Sequence, residues 1–458
     1  MAELIPIHTL LTKGRHPQHL VCHDGESFLD WQSFSIRIIH LCAQIALRVE
    51  KRWLITNTNP LDFSIALLAT LYAGKEAVIP PNTQIGTLAR LKPAYDAVIE
   101  AIPETSTFPP STKLVSLPSI DPEHTVINLY TSGSTGEPKL VHKTLAQFEA
   151  EIEVLERLWG EQLGDASIVA TVPHHHIYGL IFRMLWPLSA GRVFDNVTCA
   201  HPDSICERLN LFESAVLVSS PAQLTRLPEL ISLNTLPRPE RIFSSGGALP
   251  INTAELFYQQ LGTAPTEIFG STETGGVAWR CQSSNVAWMP LPHVTVTSDH
   301  DSALLLTSPF ISSNVPYRME DAIELLPDNH FRLIGRLDRI VKIEEKRLSL
   351  PDMEHQLLSH PWVSNAAVLP LTGRRQSIGA VVILNTLGRE QLIKQGLRET
   401  SQQLRQHLTM CFEPVLLPRY WRFPEQLPFN ERGKLTKAAL TALFSTSENT
   451  KATSHALA

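Results

Sequence analysis

The chain has 458 residues, 43% of them hydrophobic and 18% charged, with a formal net charge of −6. That is material for two or three domains with a sizeable core, in the ordinary range of a soluble globular protein. The acidic balance argues against wrapping a nucleic acid or coating an anionic membrane, and the longest apolar stretch, residues 64–74, is too short to insert in a bilayer.

In chain order, the first third predicts alternating strands and helices. Residues 53–59 form an apolar, strand-like run. Asp62 can cap a helix reaching Tyr72, and residues 77–79 form a second short strand stopped by Pro80 and Pro81. Strand, helix and strand joined by short connections predict a parallel sheet. A further strand over 126–130 runs straight into a glycine-rich loop. Strand-like runs recur at 167–172, 215–219 and 241–244, with helical segments between them. Short β segments with turns follow over 302–317 and 330–334.

The character changes near Gly335. Residues 336–343 are charged and extended. Pro351 can open a short helix to Leu358, since proline suits the first helical position. Strands are expected over 366–371, 378–384 and 420–423, and a helix over 392–408. The expected fold class is therefore α/β: a large N-terminal domain of parallel-type α/β sheets plus a small β subdomain, followed by a smaller α+β domain. The expected division is 1–337, 338–444 and a disordered tail over 445–458, which is rich in Ser, Thr and Ala. The six cysteines are scattered with no CxxC pair, as for free thiols in a reducing compartment. The N-terminus lacks the basic start and long apolar core of a signal peptide, so a cytoplasmic location is expected.

The strongest chemical signal is the run Tyr130-Thr131-Ser132-Gly133-Ser134-Thr135-Gly136-Glu137-Pro138-Lys139. Small residues let the backbone approach a polyphosphate, N–H groups and hydroxyls donate to its oxygens, and Lys139 adds a positive charge. The GxxxxGK[ST] spacing of a Walker loop is absent. Three consecutive histidines, His174, His175 and His176, invite a metal-site reading. Ligands on one element usually need i,i+2 or i,i+4 spacing, however, and no cysteine stands nearby in sequence.

The run at 130–139 resembles the phosphate loop of the adenylate-forming enzymes, the superfamily of acyl-CoA synthetases, peptide-synthetase adenylation domains and firefly luciferase. Further segments resemble that superfamily in its own order. One is Ser244-Ser245-Gly246-Gly247-Ala248-Leu249, which in the family lies against the adenine and the acyl group. Another is Phe269-Gly270-Ser271-Thr272-Glu273-Thr274-Gly275. Tyr317-Arg318-Met319-Glu320-Asp321 matches its pattern only at the ends. The run from Gly335 to Leu348 looks like the family hinge, and the run from Leu427 to Leu435 looks like the catalytic lysine loop. The stretch from Pro173 to Gly179 resembles the Pro-x-x-His-x-x-Gly segment.

The resemblance implies the roles. Thr131, Ser132, Gly133, Ser134, Thr135, Gly136 and Lys139 would hold ATP phosphates, with Thr135 among the catalytic residues. Thr272 would contact the α-phosphate, and Glu273 would hold Mg²⁺, a hard cation that needs a hard oxygen ligand. Gly247, Phe269 and Gly270 would flank the adenine. Asp321 and Arg336 would bind the ribose. His176 would line the acyl pocket close to the carboxylate, with His174 and His175 packed behind it. Lys434 would bring a cation to the α-phosphate and carboxylate oxygens, two anions that otherwise repel. Asp338 would be the pivot.

The implied activity is formation of an acyl- or aryl-adenylate from ATP and a carboxylic acid, then transfer to a thiol. The acceptor would be coenzyme A or a separate acyl carrier protein, because the residues after the lysine loop are too few for a carrier domain. The stretch from Lys342 to Leu350 looks like the stand-alone ligases of aryl-polyene and fatty-acid-like gene clusters. Glu345 replaces a glycine the family usually carries near the thiol tunnel. A protein of this fold that only binds adenylates, or serves as a scaffold, is the alternative; it would be free to lose Lys434, Glu273 or Thr135, and all three are present.

Overall fold

The structure is a computed structural model. It describes residues 3–102, 117, 119–132, 138–313, 315–343, 346–371, 377–428 and 435–445. It is a mixed α/β protein whose chain divides into two compact units. The first holds Met1–Val296, Leu306–Tyr317 and Leu326–Phe331; the second holds Thr297–Leu305, Arg318–Leu325 and Arg332–Ala458.

The first unit is built on two sheets. One has the order Ala97–Ile99, Arg52–Ile55, Glu76–Ile79, Val126–Ser132, Pro138–Thr144. Its first four strands are parallel, and the last turns back antiparallel. The other sheet carries six consecutive parallel strands: Leu20–His23, Phe194–Thr198, Ser167–Ala170, Ala215–Ser219, Arg241–Ser245 and Thr266–Ser271. Gly275–Cys281 and Asn285–Pro290 extend it antiparallel. The central pair, Ser167–Ala170 and Ala215–Ser219, is buried throughout, as expected where helices cover both faces.

Local chemistry explains the helices. Asn59 accepts a hydrogen bond from the Asp62 N–H and starts the helix Pro60–Tyr72, with Pro60 in the first turn. The cap is therefore Asn59 rather than Asp62, and the preceding strand stops at Ile55 because the chain must turn into the cap. Almost every residue of this helix is buried, so it is apolar all round rather than striped. Leu145–Leu163 opens on a capping box formed by Thr144 and Gln147. Among the described residues no helix is long and apolar enough to cross a membrane. All six cysteines are free thiols.

The second unit has a three-stranded sheet of Val363–Leu371, Ser377–Leu384 and Tyr420–Arg422, antiparallel and then parallel. The central strand is buried along its whole length. One face packs Met353, Leu357, Leu404 and Leu408; the other packs Leu427 and Leu440. The helix Thr386–Leu408 starts six residues before the apolar pattern begins and breaks at Gly396, where φ is +79°. Leu387 and Ile393 are exposed, so its first part carries no core-facing stripe for sequence reading to find. The region after residue 445 lies outside the described residues.

Candidate active site

The strands Val126–Ser132 and Pro138–Thr144 form one hairpin, paired Thr131↔Lys139 and Ser132↔Pro138. The connecting residues, including Gly133, Ser134, Thr135 and Gly136, lie outside the described residues. The hairpin nevertheless fixes both ends of the loop. Lys139 leaves its exposed end and donates from Nζ to Glu273 Oε1 at 2.6 Å. Two motifs more than a hundred residues apart in sequence thus meet side chain to side chain.

Glu273 and Thr272 sit on the tight turn between Thr266–Ser271 and Gly275–Cys281. Thr274 ties the turn together. Its hydroxyl accepts from the Ser271 N–H at 2.9 Å and donates to the Gly275 carbonyl at 2.9 Å. A Cβ on Gly270 would lie 2.1 Å from the Gly275 carbonyl oxygen, so the crossing of the two strands requires glycine there. Partial burial by itself would raise the Glu273 carboxyl. The hydrogen bond and charge of Lys139 outweigh it and hold the group below its ordinary value. The result is an ionised, half-buried carboxylate, a fitting donor for Mg²⁺, which commonly takes one or two protein carboxylates and otherwise water and phosphate oxygens.

Phe269 packs against Trp288 and Phe331, with ring centroids 5.5 and 6.1 Å away. The neighbouring strand Arg241–Ser245 runs into Gly246, whose φ of +89° lies in the region glycine favours, and Gly247 follows on the exposed loop. Ser245 Oγ donates to the Ile268 carbonyl at 2.9 Å, joining this loop to the strand carrying Phe269. Both loops leave the carboxyl ends of adjacent parallel strands, the usual place for a ligand in an open α/β sheet.

The histidine segment leaves Ser167–Ala170, another strand of the same sheet. Its terminal glycine has a physical reason: a Cβ on Gly179 would lie 2.0 Å from the Pro173 carbonyl oxygen. His174 is buried, and its Nε2 bonds to the Asn57 carbonyl at 3.1 Å. That contact makes Nε2 the protonated nitrogen, since a carbonyl only accepts. Burial drives its imidazole down to about 3, and burial with the nearby His176 drives His175 down to about 4. Both rings are neutral at physiological pH. His176 is exposed, its ring 4.6 Å from that of His175. A cavity of about 110 Å³ behind the segment is lined by Ile55, Asn57, Phe63, Pro80, Pro173 and His174.

Asp321 and Arg336 both fall in the second unit, on the strands Tyr317–Leu325 and Phe331–Arg336. Met319 is a core residue of its strand while Glu320 is exposed, so this segment's departure from the family pattern keeps the in–out alternation. Asp338 lies in the turn Leu337–Arg339. Glu345 and Lys434 lie outside the described residues.

Sequence reading missed the polar groups that brace the site. Glu267 is fully buried; it accepts from Arg280 Nε at 2.7 Å and from the Leu249 N–H at 2.9 Å, tying two site loops together. Lys143 and Glu151 are buried close behind the Glu273 turn. Glu151 stands among other acidic residues, Glu149 and Glu153, and Lys143 beside His142, so the sequence carried no signal that set them apart.

Comparison with known proteins identifies the family and the fold. A family described as AMP-binding enzyme matches residues 67–304. A 4-coumarate–CoA ligase of Rhodobacter capsulatus is 24% identical over 308 residues, covering 66% of this chain and 73% of the relative. Among solved structures, ATP-bound MatB from Rhodopseudomonas palustris superposes with a TM-score of 0.79 at 16% identity, covering 96% of this chain and 98% of the other. O-succinylbenzoate coenzyme A synthetase of Bacillus subtilis, in complex with AMP, gives 0.78 at 16% identity, covering 95% and 97%. The fold is that of the adenylate-forming superfamily. The chain belongs to the AMP-binding enzyme family.

Proposed function

We propose that this protein is an AMP-forming acid–thiol ligase. It activates a carboxylic acid as an acyl- or aryl-adenylate, releases pyrophosphate, and passes the acyl group to coenzyme A or to a separate acyl carrier protein. The observation that carries this reading is the 2.6 Å contact between Lys139 and Glu273, which joins the phosphate-loop hairpin to the Thr272–Glu273 turn. A cation and an ionised carboxylate side by side suit a magnesium-bound polyphosphate: Lys139 turns to a phosphate oxygen, and Glu273 is left to the metal.

In this reading Glu273 holds Mg²⁺, which when bound neutralises phosphate charge. The chain's own groups do the rest. Thr131, Ser132, Gly133, Ser134, Thr135 and Gly136 donate to phosphate oxygens, and Thr272 contacts the α-phosphate. Phe269, Gly270 and Gly247 border the base, while Asp321 and Arg336 hold the ribose. The exposed His176 borders the acid. Lys434 supplies the cation where carboxylate and α-phosphate meet, and so lowers the repulsion in the transition state. Residues 1–337 act as the adenylation core and 338–444 as a lid that pivots at Asp338 between the two half-reactions. The segment from Lys342 to Leu350 supports an aryl or short acyl starter loaded onto a carrier protein, with coenzyme A as the alternative acceptor.

The test is pyrophosphate release with ATP and Mg²⁺ across benzoate, 4-hydroxybenzoate, hydroxycinnamates, and short and long fatty acids. Turnover with one class identifies the acid, and addition of coenzyme A or a holo carrier protein then identifies the acceptor. Lys434→Ala is expected to abolish acid-dependent pyrophosphate exchange while Mg-ATP still binds by calorimetry. Unchanged exchange would remove Lys434 from the mechanism. Silence of the wild type across the panel, with ATP bound, would favour the adenylate-binding alternative.

A further inference from the structure

The strand Pro138–Thr144 alternates, so Lys139, Val141 and Lys143 share a face. Lys139 reaches the tip of the Glu273 turn, and Lys143 lies four residues further along, 3% exposed. Lysine is almost never buried to that degree without partners. Its ammonium donates to the Phe310 carbonyl at 2.8 Å. Glu151, on the helix Leu145–Leu163 that follows this strand directly, is 4% exposed. Its Oε1 accepts from the Gly276 N–H at 2.9 Å. Its Oε2 would stand 2.4 Å from a Cβ on Gly275, where φ is +70°, so the end of the turn lies directly on the carboxylate.

Neither residue earns its place as a stabiliser. Burial pushes the Glu151 carboxyl up to about 7 against the opposing charge of Lys143, and pushes the Lys143 ammonium down to about 8 against Glu151 and Glu273. Apolar residues of similar volume usually do as well or better in such a place. What they could not do is satisfy the buried Gly276 N–H and hold the backbone on which Thr272 and Glu273 stand.

We propose that Glu151 and Lys143 are positioning residues for the nucleotide-metal site, with Glu151 seating the Thr272–Glu273 turn through the Gly276 N–H and Lys143 seating the Phe310 backbone beside it. This rests on the reading above that Glu273 serves Mg-ATP. Neither side chain touches nucleotide. Their effect is to keep the Glu273 carboxylate within reach of Lys139 and of the phosphates.

The experiment compares Glu151→Leu, Glu151→Gln and Glu273→Gln in the full chain. Mg-ATP dissociation constants are measured by calorimetry without acid, alongside melting temperature and KM and kcat for acid-dependent pyrophosphate exchange. Glu151→Leu is expected to weaken Mg-ATP about tenfold, the scale of one charge-assisted hydrogen bond, and to raise the KM for Mg-ATP but not that for the acid. Glu151→Gln keeps a carbonyl acceptor for Gly276 and is expected to restore most of the affinity. A lower melting temperature with an unchanged Mg-ATP dissociation constant would make Glu151 merely structural and overturn the proposal. If Glu273→Gln leaves Mg-ATP binding intact, the role of Glu273 fails first and the proposal falls with it. If Glu273→Gln weakens binding and Glu151→Leu does not, only the positioning role fails. Should the leucine variant not fold, Glu151→Asp withdraws the carboxylate by one methylene; unaltered Mg-ATP affinity in that folded variant is equally fatal.

Discussion

His174 shows how one buried side chain carries both a structural and an electrostatic role. Its Nε2–H is committed to the Asn57 carbonyl, its ring lies 4.7 Å from that of Phe63, and Arg183, His175 and His176 all oppose a positive charge on it. Burial holds its folded value near 3, below the ordinary 6.5. Neutral His174 therefore stabilises the fold fully above pH 6.5, and that contribution is lost as pH falls from there toward 3. Between pH 6.5 and 4.5 the wild type should lose about 2–3 kcal/mol more than His174→Gln, at 1.36 kcal/mol per unit. Denaturant unfolding at the two pH values measures this. Equal losses in both proteins would mean that the imidazole titrates as if exposed. The sequence marked this segment through its Pro-x-x-His-x-x-Gly spacing. The resemblance put His174 and His175 behind His176, but it could not name the groups that seal His174, because Asn57 and Phe63 lie more than a hundred residues away.

At the scale of elements, the sheet of the first unit is braced by charge inside its core. Arg208, on the helix Pro202–Leu211, donates from Nε and Nη2 to both carboxylate oxygens of Asp195 on the strand Phe194–Thr198, at 2.8 and 2.7 Å. Asp195 has no solvent exposure, and the same Arg208 Nη2 also contacts His23 Nδ1 at 2.7 Å. Arg208→Ala strands that carboxylate and should cost about 3–5 kcal/mol in chemical denaturation. Replacing both partners with apolar residues should recover much of it; equal destabilisation in single and double variants would show that packing rather than charge holds the helix. Neither residue belongs to a recognisable motif. Element type was readable from apolar runs and caps, and the expected strand at 215–219 coincides with the observed one. The clearest departure came where local chemistry was ambiguous, at the choice of Asn59 over Asp62 as cap.

At the scale of the whole molecule, each compact unit has its own apolar core. Leu404 is fully buried in the second. Leu404→Ala should therefore cost about 2–5 kcal/mol in the unfolding of that unit, while the unfolding of the first unit, whose core is separate, keeps its wild-type temperature. Calorimetric melting checks both halves of this expectation. An equal shift of both transitions would mean that the two cores unfold together.

The sequence by itself determined the α/β class and the family, because both rest on local features. Apolar periodicity sets the elements, and short runs of small, hydroxyl-bearing and charged residues are needed wherever backbone must approach phosphate. Only the tertiary structure decided that Lys139 meets Glu273, that Glu151 lies under Gly275 and Gly276, and that Asn57 and Phe63 are the groups that seal His174. Those facts come from strands that cross far from one another in sequence. Burial, which sets the charge state of each group and the partner it must find, is a property of the packed chain and not of any stretch of it.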